Sequence, residues 1–212
     1  MREHLNEVAP RRIAVLDPLK LVIENYPADR EELCEAPNHP QKPDWGRRPL
    51  PFSRELWIER EDYADPPPKG YFRLFPGNKV RLRYAYVIEC IGYDKETDTV
   101  RCRLFEDSRS GTPGADAYKV KGNIHWLSAK HAHAAEIRLY DRLFAAPQPE
   151  GVGDLNPESK KVIWARLEPE LRNAKPEERF QFERHGYFVA DTGNSAVFNR
   201  TVTLRDSWGT GK

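Results

Sequence analysis

The sequence predicts an all-β protein made of barrels or sandwiches. Eighteen prolines and thirteen glycines are scattered along all 212 residues, and short runs of alternating apolar and polar residues recur between turn-forming clusters. Long amphipathic stretches of helical period are missing, which excludes a helix bundle. The length suits one large domain or two small ones, and two is the working number.

The first strand is expected at Leu19 to Tyr26, where Leu21-Val22-Ile23 is rich in branched residues. Pro27 to Pro51 is proline-rich and polar and reads as a stiff, irregular connection. Glu55 to Arg60 reads as a short strand, and Pro66-Pro67-Pro68 imposes an extended link, so a boundary is expected near residues 64–68. From Lys79 to Ile88 the alternation is strict, with Val80, Leu82, Tyr84, Tyr86 and Ile88 on one face and Arg81 and Arg83 on the other. Val100 to Phe105 follows a turn at Asp94 to Asp98. Further strands are expected at Lys119 to Trp126, Glu136 to Leu143, Val162 to Leu167, Arg179 to Val189 and Val197 to Leu204, with one helical turn at Glu168 to Ala174.

The net charge of +1 excludes a polybasic tail, so any contact with nucleic acid must come from local charge. Such a region exists. Between Pro66 and Ile88 there is no Asp or Glu, while Lys69, Arg73, Lys79, Arg81 and Arg83 stand beside Tyr71, Phe72 and Tyr84. Cationic groups neutralise phosphate and aromatic planes stack on unpaired bases, which is the combination that binds single-stranded RNA. On one regular strand Arg81 and Arg83 would converge on one nucleotide. An ordinary solvated strand face is the alternative. In Phe180-Gln181-Phe182-Glu183-Arg184 a regular strand would turn Gln181 and Arg184 apart, and only a bulge or bend would bring both to one ligand.

Enzyme chemistry has little support. Cys34, Cys90 and Cys102 are widely spaced without a paired ligand motif and read as reduced thiols. His125, His131 and His133 lack carboxylates or thiols at ligand spacing, so no metal is expected. There is no phosphate-binding loop, dinucleotide fingerprint or nucleophile elbow, and no catalytic residue is nominated. No stretch is apolar enough to span a membrane or serve as a signal-peptide core, which implies a cytoplasmic protein.

Several stretches match a known family: Ala9-Pro10-Arg11, Leu21 to Tyr26, Pro37-Asn38-His39-Pro40, Val80-Arg81-Leu82-Arg83, Lys119 to Gly122 into Ile124-His125-Trp126, Ile137 to Phe144, Phe180 to Arg184, and Val197 to Val202 with Leu204-Arg205-Asp206. Together they resemble, nearly end to end, the C-terminal anticodon-binding region of glutaminyl-tRNA synthetases. The resemblance implies two ribosomal-protein-like β-barrels, one inserted into the other: a proximal barrel of residues 1–66 plus 137–212 and a distal barrel of residues 67–136. It implies that Arg11, Gln181 and Arg184 form the pocket for the central anticodon uridine, that Arg81 and Arg83 read the first position, and that Arg73 contacts the third. Asn6, Gln41, Lys69 and Ser207 are implied as weaker RNA contacts. Gly70, Phe72 and Gln41 depart from the family pattern, and Phe72 can stack on a base but offers it no hydrogen bond.

The partner implied is the anticodon stem-loop of tRNA-Gln, bound by a monomer. ATP would belong to a catalytic part of the parent enzyme, whose HIGH-like and KMSKS-like motifs this sequence lacks. The chain itself is then expected to need no cofactor, to make no product, and to be a piece of a longer enzyme with Met1 added. A glutamyl-tRNA synthetase anticodon domain, a free-standing RNA-binding barrel and a hydrolase are the alternatives.

Overall fold

The computed structural model describes residues 1–194 and 196–204. Strands make up 42% of it, arranged as one nearly closed barrel-shaped sheet and a half-barrel sheet. A short helix α1 (Arg2–Val8) precedes β1 (Arg11–Arg12), β2 (Ala14–Val15), β3 (Pro18–Ile23), β4 (Glu32–Pro37), β5 (Arg47–Phe52) and β6 (Glu55–Glu59). Then follow β7 (Lys79–Leu82), β8 (Val87–Asp94), β9 (Thr99–Phe105), β10 (Gly122–Ile124) and β11 (Leu127–Ser128). The last are β12 (His133–Tyr140), β13 (Lys160–Leu167), β14 (Arg179–Phe182), β15 (Gly186–Ala190) and β16 (Val197–Val202).

One seven-stranded sheet runs β1-β14-β15-β16-β12-β13-β2, and its two edges are consecutive strands separated only by Ile13. The other runs β10-β7-β8-β9-β3-β6-β11, its edges separated by His125 and Trp126. Drawing both edges of a sheet from one short stretch brings them together and shields the backbone groups that an open edge would expose. The second sheet lies in sequence between the two parts of the first, so one unit is inserted into the other.

Strand pairing does not follow the expected division at residues 66 and 137. Strand β3 pairs with β6 and β9, and β6 pairs with β11, so strands before residue 66 belong to the same sheet as β7 to β10. The proline-rich Pro27 to Pro51 stretch, expected to be irregular, contains the β4–β5 hairpin, where Cys34 faces Leu50 and Ala36 faces Arg48. Pro37, Pro49 and Pro51 sit within this two-stranded ribbon, where an unpaired outer side tolerates the missing N–H.

Two runs expected as single strands are hairpins. The Lys79 to Ile88 run breaks after Leu82, and Val80 pairs across with Ile88. Tyr84 has φ +68° there. The Arg179 to Val189 run breaks after Phe182, Phe180 pairs with Phe188, and Arg184 has φ +74°. In the first, the apolar alternation runs unbroken through Tyr84 and Tyr86; in the second, Phe188 returns in phase with Phe180 and Phe182, and in both this hides the break from a pattern of period two.

Each sheet encloses its own aromatic core. Phe52 packs edge-on against Tyr26 and Trp126, with ring centroids 5.1 and 5.0 Å away. In the other core Phe182 stacks on Phe188 at 4.4 Å and packs against Phe198. The three cysteines are buried free thiols. Among the described residues no helix is long and apolar enough to cross a membrane.

A buried ion pair ties the β4–β5 hairpin to the first sheet. Arg48 and Glu168 are 2% and 1% exposed. The Arg48 Nε and Nη2 donate to the two Glu168 oxygens at 2.7 Å each, and Nη1 donates to the Pro37 carbonyl. Glu168 Oε1 also accepts the Ile13 amide at 2.6 Å, at the joint between β1 and β2. Burial alone would lower the Arg48 pKa, but Glu168 outweighs it and holds the guanidinium charged. Removing Arg48 leaves the Glu168 charge buried with only the Ile13 amide and the more distant Arg12, 3.9 Å away, to compensate it. Arg48→Met is therefore expected to lower the unfolding free energy by about 3–5 kcal/mol, seen as a shift of the urea midpoint.

Candidate functional site

The parallel pairing of β1 with β14 sets Arg11 directly beside Gln181. Arg11 is 6% exposed. It reaches into the end of helix α1, donating Nη2 to Asn6 Oδ1 at 2.6 Å and Nη1 to the Asn6 and Ala9 carbonyls at 3.0 and 2.8 Å. Carbonyls at a helix C-terminus have no partner within the helix, so they suit a cation. Burial lowers the Arg11 pKa, against the pull of Tyr187 and Glu183.

On the next strand Tyr187 faces Gln181. Asn6, Gln181 and Tyr187, with Met1, Arg2, Glu3 and Leu204, line an open cavity of about 650 Å³. Gln181 Oε1 is buried and has no hydrogen-bond partner among the described residues. A buried acceptor left unpaired is costly, and a ligand that brings an N–H recovers that cost. His39 supports the same corner: Nδ1 accepts the Gln41 amide at 3.1 Å, which leaves Nε2 to donate to the Asn6 carbonyl at 2.7 Å. Gln41 itself is exposed on that turn.

Arg184 belongs to a different set of contacts. The bend at its positive φ turns it onto buried Asp62, with Nη1 to Oδ2 at 2.7 Å and Nη2 to Oδ1 at 2.9 Å. It also pairs with Glu61. Arg73 shares both carboxylates, 3.0 Å from Asp62 and 3.1 Å from Glu61, and the Tyr71 hydroxyl donates to the Glu61 carbonyl. Burial raises the Asp62 pKa, and the Arg184 contact works in the opposite direction. Lys69 is exposed, and Phe72 is 51% exposed with the Lys121 ammonium 5.0 Å from its ring centre.

Arg81 and Arg83 do not converge, because the chain leaves the strand at Leu82 and the two-residue alternation ends there. Arg81 donates to the carbonyls of Ser108 and Ala115 at 2.9 and 2.7 Å. Arg83 pairs instead with Glu183 Oε2 at 2.8 Å, and its Nη1 lies 3.1 Å from His125 Nε2. Glu183 also stands 4.0 Å from Arg48. Its pKa is raised, chiefly by burial, against the opposing effect of Arg83 and Arg48. Thus Gln181, Glu183 and Arg184, neighbours on one hairpin, serve three separate sets of contacts.

The structure brings together Arg11, Gln181 and Asn6, places Arg184 with Arg73, and sets Arg83 against Glu183. Ser207 lies outside the described residues. Sequence reasoning missed Tyr187, His39, Glu61, Asp62 and Glu183. Gly186-Tyr187-Phe188 also matches the family and hinted at Tyr187, while Glu183 and Asp62 are distant in sequence from Arg83 and Arg184, and Glu61 and Asp62 precede the acid-free stretch that holds Arg73.

His125 is 2% exposed. Burial keeps its imidazole neutral, well below the ordinary pKa, and Arg83, Arg184, His185 and Arg48 add to the effect. An unfolded chain takes up a proton at this position below about pH 6.5, whereas the folded one does not. This group therefore stabilises the fold above about pH 6.5, and the contribution is lost as pH falls, by about 1.4 kcal/mol at pH 5.5. Urea denaturation at about pH 7.5 and 5.5 is expected to show that loss, and His125→Gln should reduce it by the same amount.

Residues 9–105 match a family model described as the anticodon-binding domain of class I tRNA synthetases (E and Q), and residues 123–191 match a second model of the same description. The chain is 63% identical to a glutamine–tRNA ligase of Cupriavidus metallidurans, over 99% of this chain and 38% of that relative. It is 61% identical to one of Ralstonia nicotianae, over the same shares. Against one of Nitrosomonas europaea it is 53% identical, over 98% of this chain and 40% of the relative. The chain thus spans about 38–40% of the length of these relatives.

Proposed function

Because the chain belongs to the anticodon-binding family of class I tRNA synthetases (E and Q), we propose that it is the tRNA-reading part of a glutamine–tRNA ligase and binds the anticodon stem-loop of tRNA-Gln. The observation that carries this reading is the 63% identity to a glutamine–tRNA ligase across 99% of the chain. The same relatives give no support to a glutamyl-tRNA or free-standing barrel alternative. ATP and aminoacylation belong, in this reading, to the remainder of a monomeric cytoplasmic enzyme.

The cavity beside Arg11 and Gln181 is the best candidate for the central uridine. A uracil edge presents an N–H between two carbonyls. The unpaired Gln181 Oε1 can accept that N–H, and the Gln181 amide nitrogen can donate to an adjacent carbonyl. Arg11, fixed by the end of α1, supplies a positive charge on the same side. Cytosine in the same place would present an acceptor to the Gln181 oxygen and leave both unsatisfied.

Arg184 and Arg73 form a second group of donors, with two guanidinium groups on two carboxylates. A guanidinium has five N–H donors, so pairing with Asp62 orients Arg184 and still leaves donors for RNA. Arg83, held by Glu183, is oriented in the same way. These arginines act as fixed base-reading donors, and exposed lysines such as Lys69 add salt-dependent attraction to phosphate.

The test is binding to an anticodon stem-loop carrying CUG against one changed only at the central uridine, at two salt concentrations. The CUG loop is expected to bind more tightly, by roughly 5- to 150-fold, the range for a base-edge contact worth about 1–3 kcal/mol. Gln181→Met should remove most of that preference while leaving the salt dependence unchanged. Equal binding of both loops by the unmodified protein would overturn the reading. The chain alone is expected to form no glutaminyl-tRNA in an aminoacylation assay.

A further inference from the structure

Arg54 stands at the bend between β5 and β6. Its side chain is half-buried, yet its guanidinium has neither an ion pair nor a hydrogen bond among the described residues. The arginines of the RNA-reading region are all held by carboxylates or carbonyls, so Arg54 differs from them. A guanidinium stays charged at any physiological pH and offers five N–H donors, and one partly withdrawn from water without a partner is suited to an anion.

Arg54 lines an open cleft of about 450 Å³. The volume lies within the range of small-ligand sites, roughly 300–1,000 Å³. The pairing of β3 with β6 sets Lys20 directly beside Trp57 in the wall of this cleft, and the loop after β11 brings Lys130 to it. Lys20 pairs with Glu55 at 2.8 Å and Lys130 pairs with Glu31, which also stands 3.0 Å from His131 Nε2. The two lysines therefore balance the two glutamates, and Arg54 carries the one charge left over. The Ser53 hydroxyl is already engaged, on the Glu55 carbonyl and 2.6 Å from Ser128 Oγ.

Trp57 supplies a flat, half-buried wall. The Arg166 guanidinium of β13 lies 5.2 Å from its ring centre, and Arg166 has no carboxylate partner among the described residues. A second unbalanced charge thus stands beside the same ring. We propose that this cleft binds a small ligand in which a single negative charge, on a carboxylate or a phosphodiester, is joined to a planar ring. Arg54 holds the oxyanion and Trp57 packs against the ring. One negative charge matches the excess of one positive charge, and a second would be set against Glu31 and Glu55. The site shares no residue with the Arg11–Gln181 cavity or the Arg184–Arg73 group, and the inference does not rest on the anticodon reading.

The experiment titrates the whole chain calorimetrically with four probes: phenylacetate, adenosine 3′,5′-cyclic phosphate, acetate and adenosine. At least one of the two ringed anions is expected to bind saturably and roughly tenfold or more tightly than acetate, which lacks the ring, and adenosine, which lacks the charge. Binding of the cyclic phosphate alone identifies a nucleotide site, and binding of phenylacetate alone a carboxylate site. Arg54→Met is expected to weaken that binding by roughly 10- to 150-fold, the range for losing hydrogen bonds to a charged group. Ala28→Trp, which fills the cleft from an exposed turn residue, should weaken it as well. Both variants are expected to keep the urea midpoint of the parent and its affinity for the CUG stem-loop. Failure of both ringed anions to bind, or parental affinity in Arg54→Met, would overturn the proposal. So would a loss of stem-loop affinity in the two variants, which would make the cleft part of an RNA surface instead.

Discussion

The buried charges between the two sheets set the geometry on which every other contact depends. Arg48 and Glu168 join the β4–β5 hairpin to the point where β1 meets β2. A step further, Glu183 stands between Arg48 and Arg83. The carboxylates come from the first sheet's side of the molecule and the arginines from the hairpin and the second sheet's turn. Charges taken out of water need close, directional partners, and such a network tolerates few arrangements. It therefore specifies how the sheets sit together more sharply than apolar packing does.

In the proposed reading, the same device lets a nearly neutral chain present arginines to RNA. Arg73, Arg83 and Arg184 are each held by a carboxylate, and Arg11 by the carbonyls at the end of α1. The pairs remove net charge while fixing the direction of the remaining donors. Affinity then rests less on bulk positive potential and more on preformed geometry, which favours discrimination among bases over indiscriminate attraction to phosphate. Tyr84 and Arg184, both at positive φ on turns that end strands, show the backbone bent to aim a side chain.

Much of the fold was legible because burial has a period. Val80, Leu82 and Ile88, and Phe180, Phe182 and Phe188, are all core residues, and their spacing was visible in the chain. The turn within each run was not, because a tight hairpin keeps the apolar alternation in phase. That one omission carried the larger error at the site. Arg81 and Arg83 share a face only if the strand continues past Leu82, and Arg184 meets Asp62 only because it does not continue past Phe182.

The sequence by itself determined the all-β class, the apolar faces of most strands and the cluster of basic and aromatic residue types between Pro66 and Ile88, since all of these follow from local spacing and composition. Tertiary structure alone decided which residues meet. Arg11 lies beside Gln181 through a parallel pairing of strands 170 residues apart, Glu168 reaches Arg48 across 120 residues, and β3 joins β6 and β9 rather than its sequence neighbours β2 and β4. Contacts of that range depend on how sheets close and stack, and no local pattern of side chains encodes the partner at the far end.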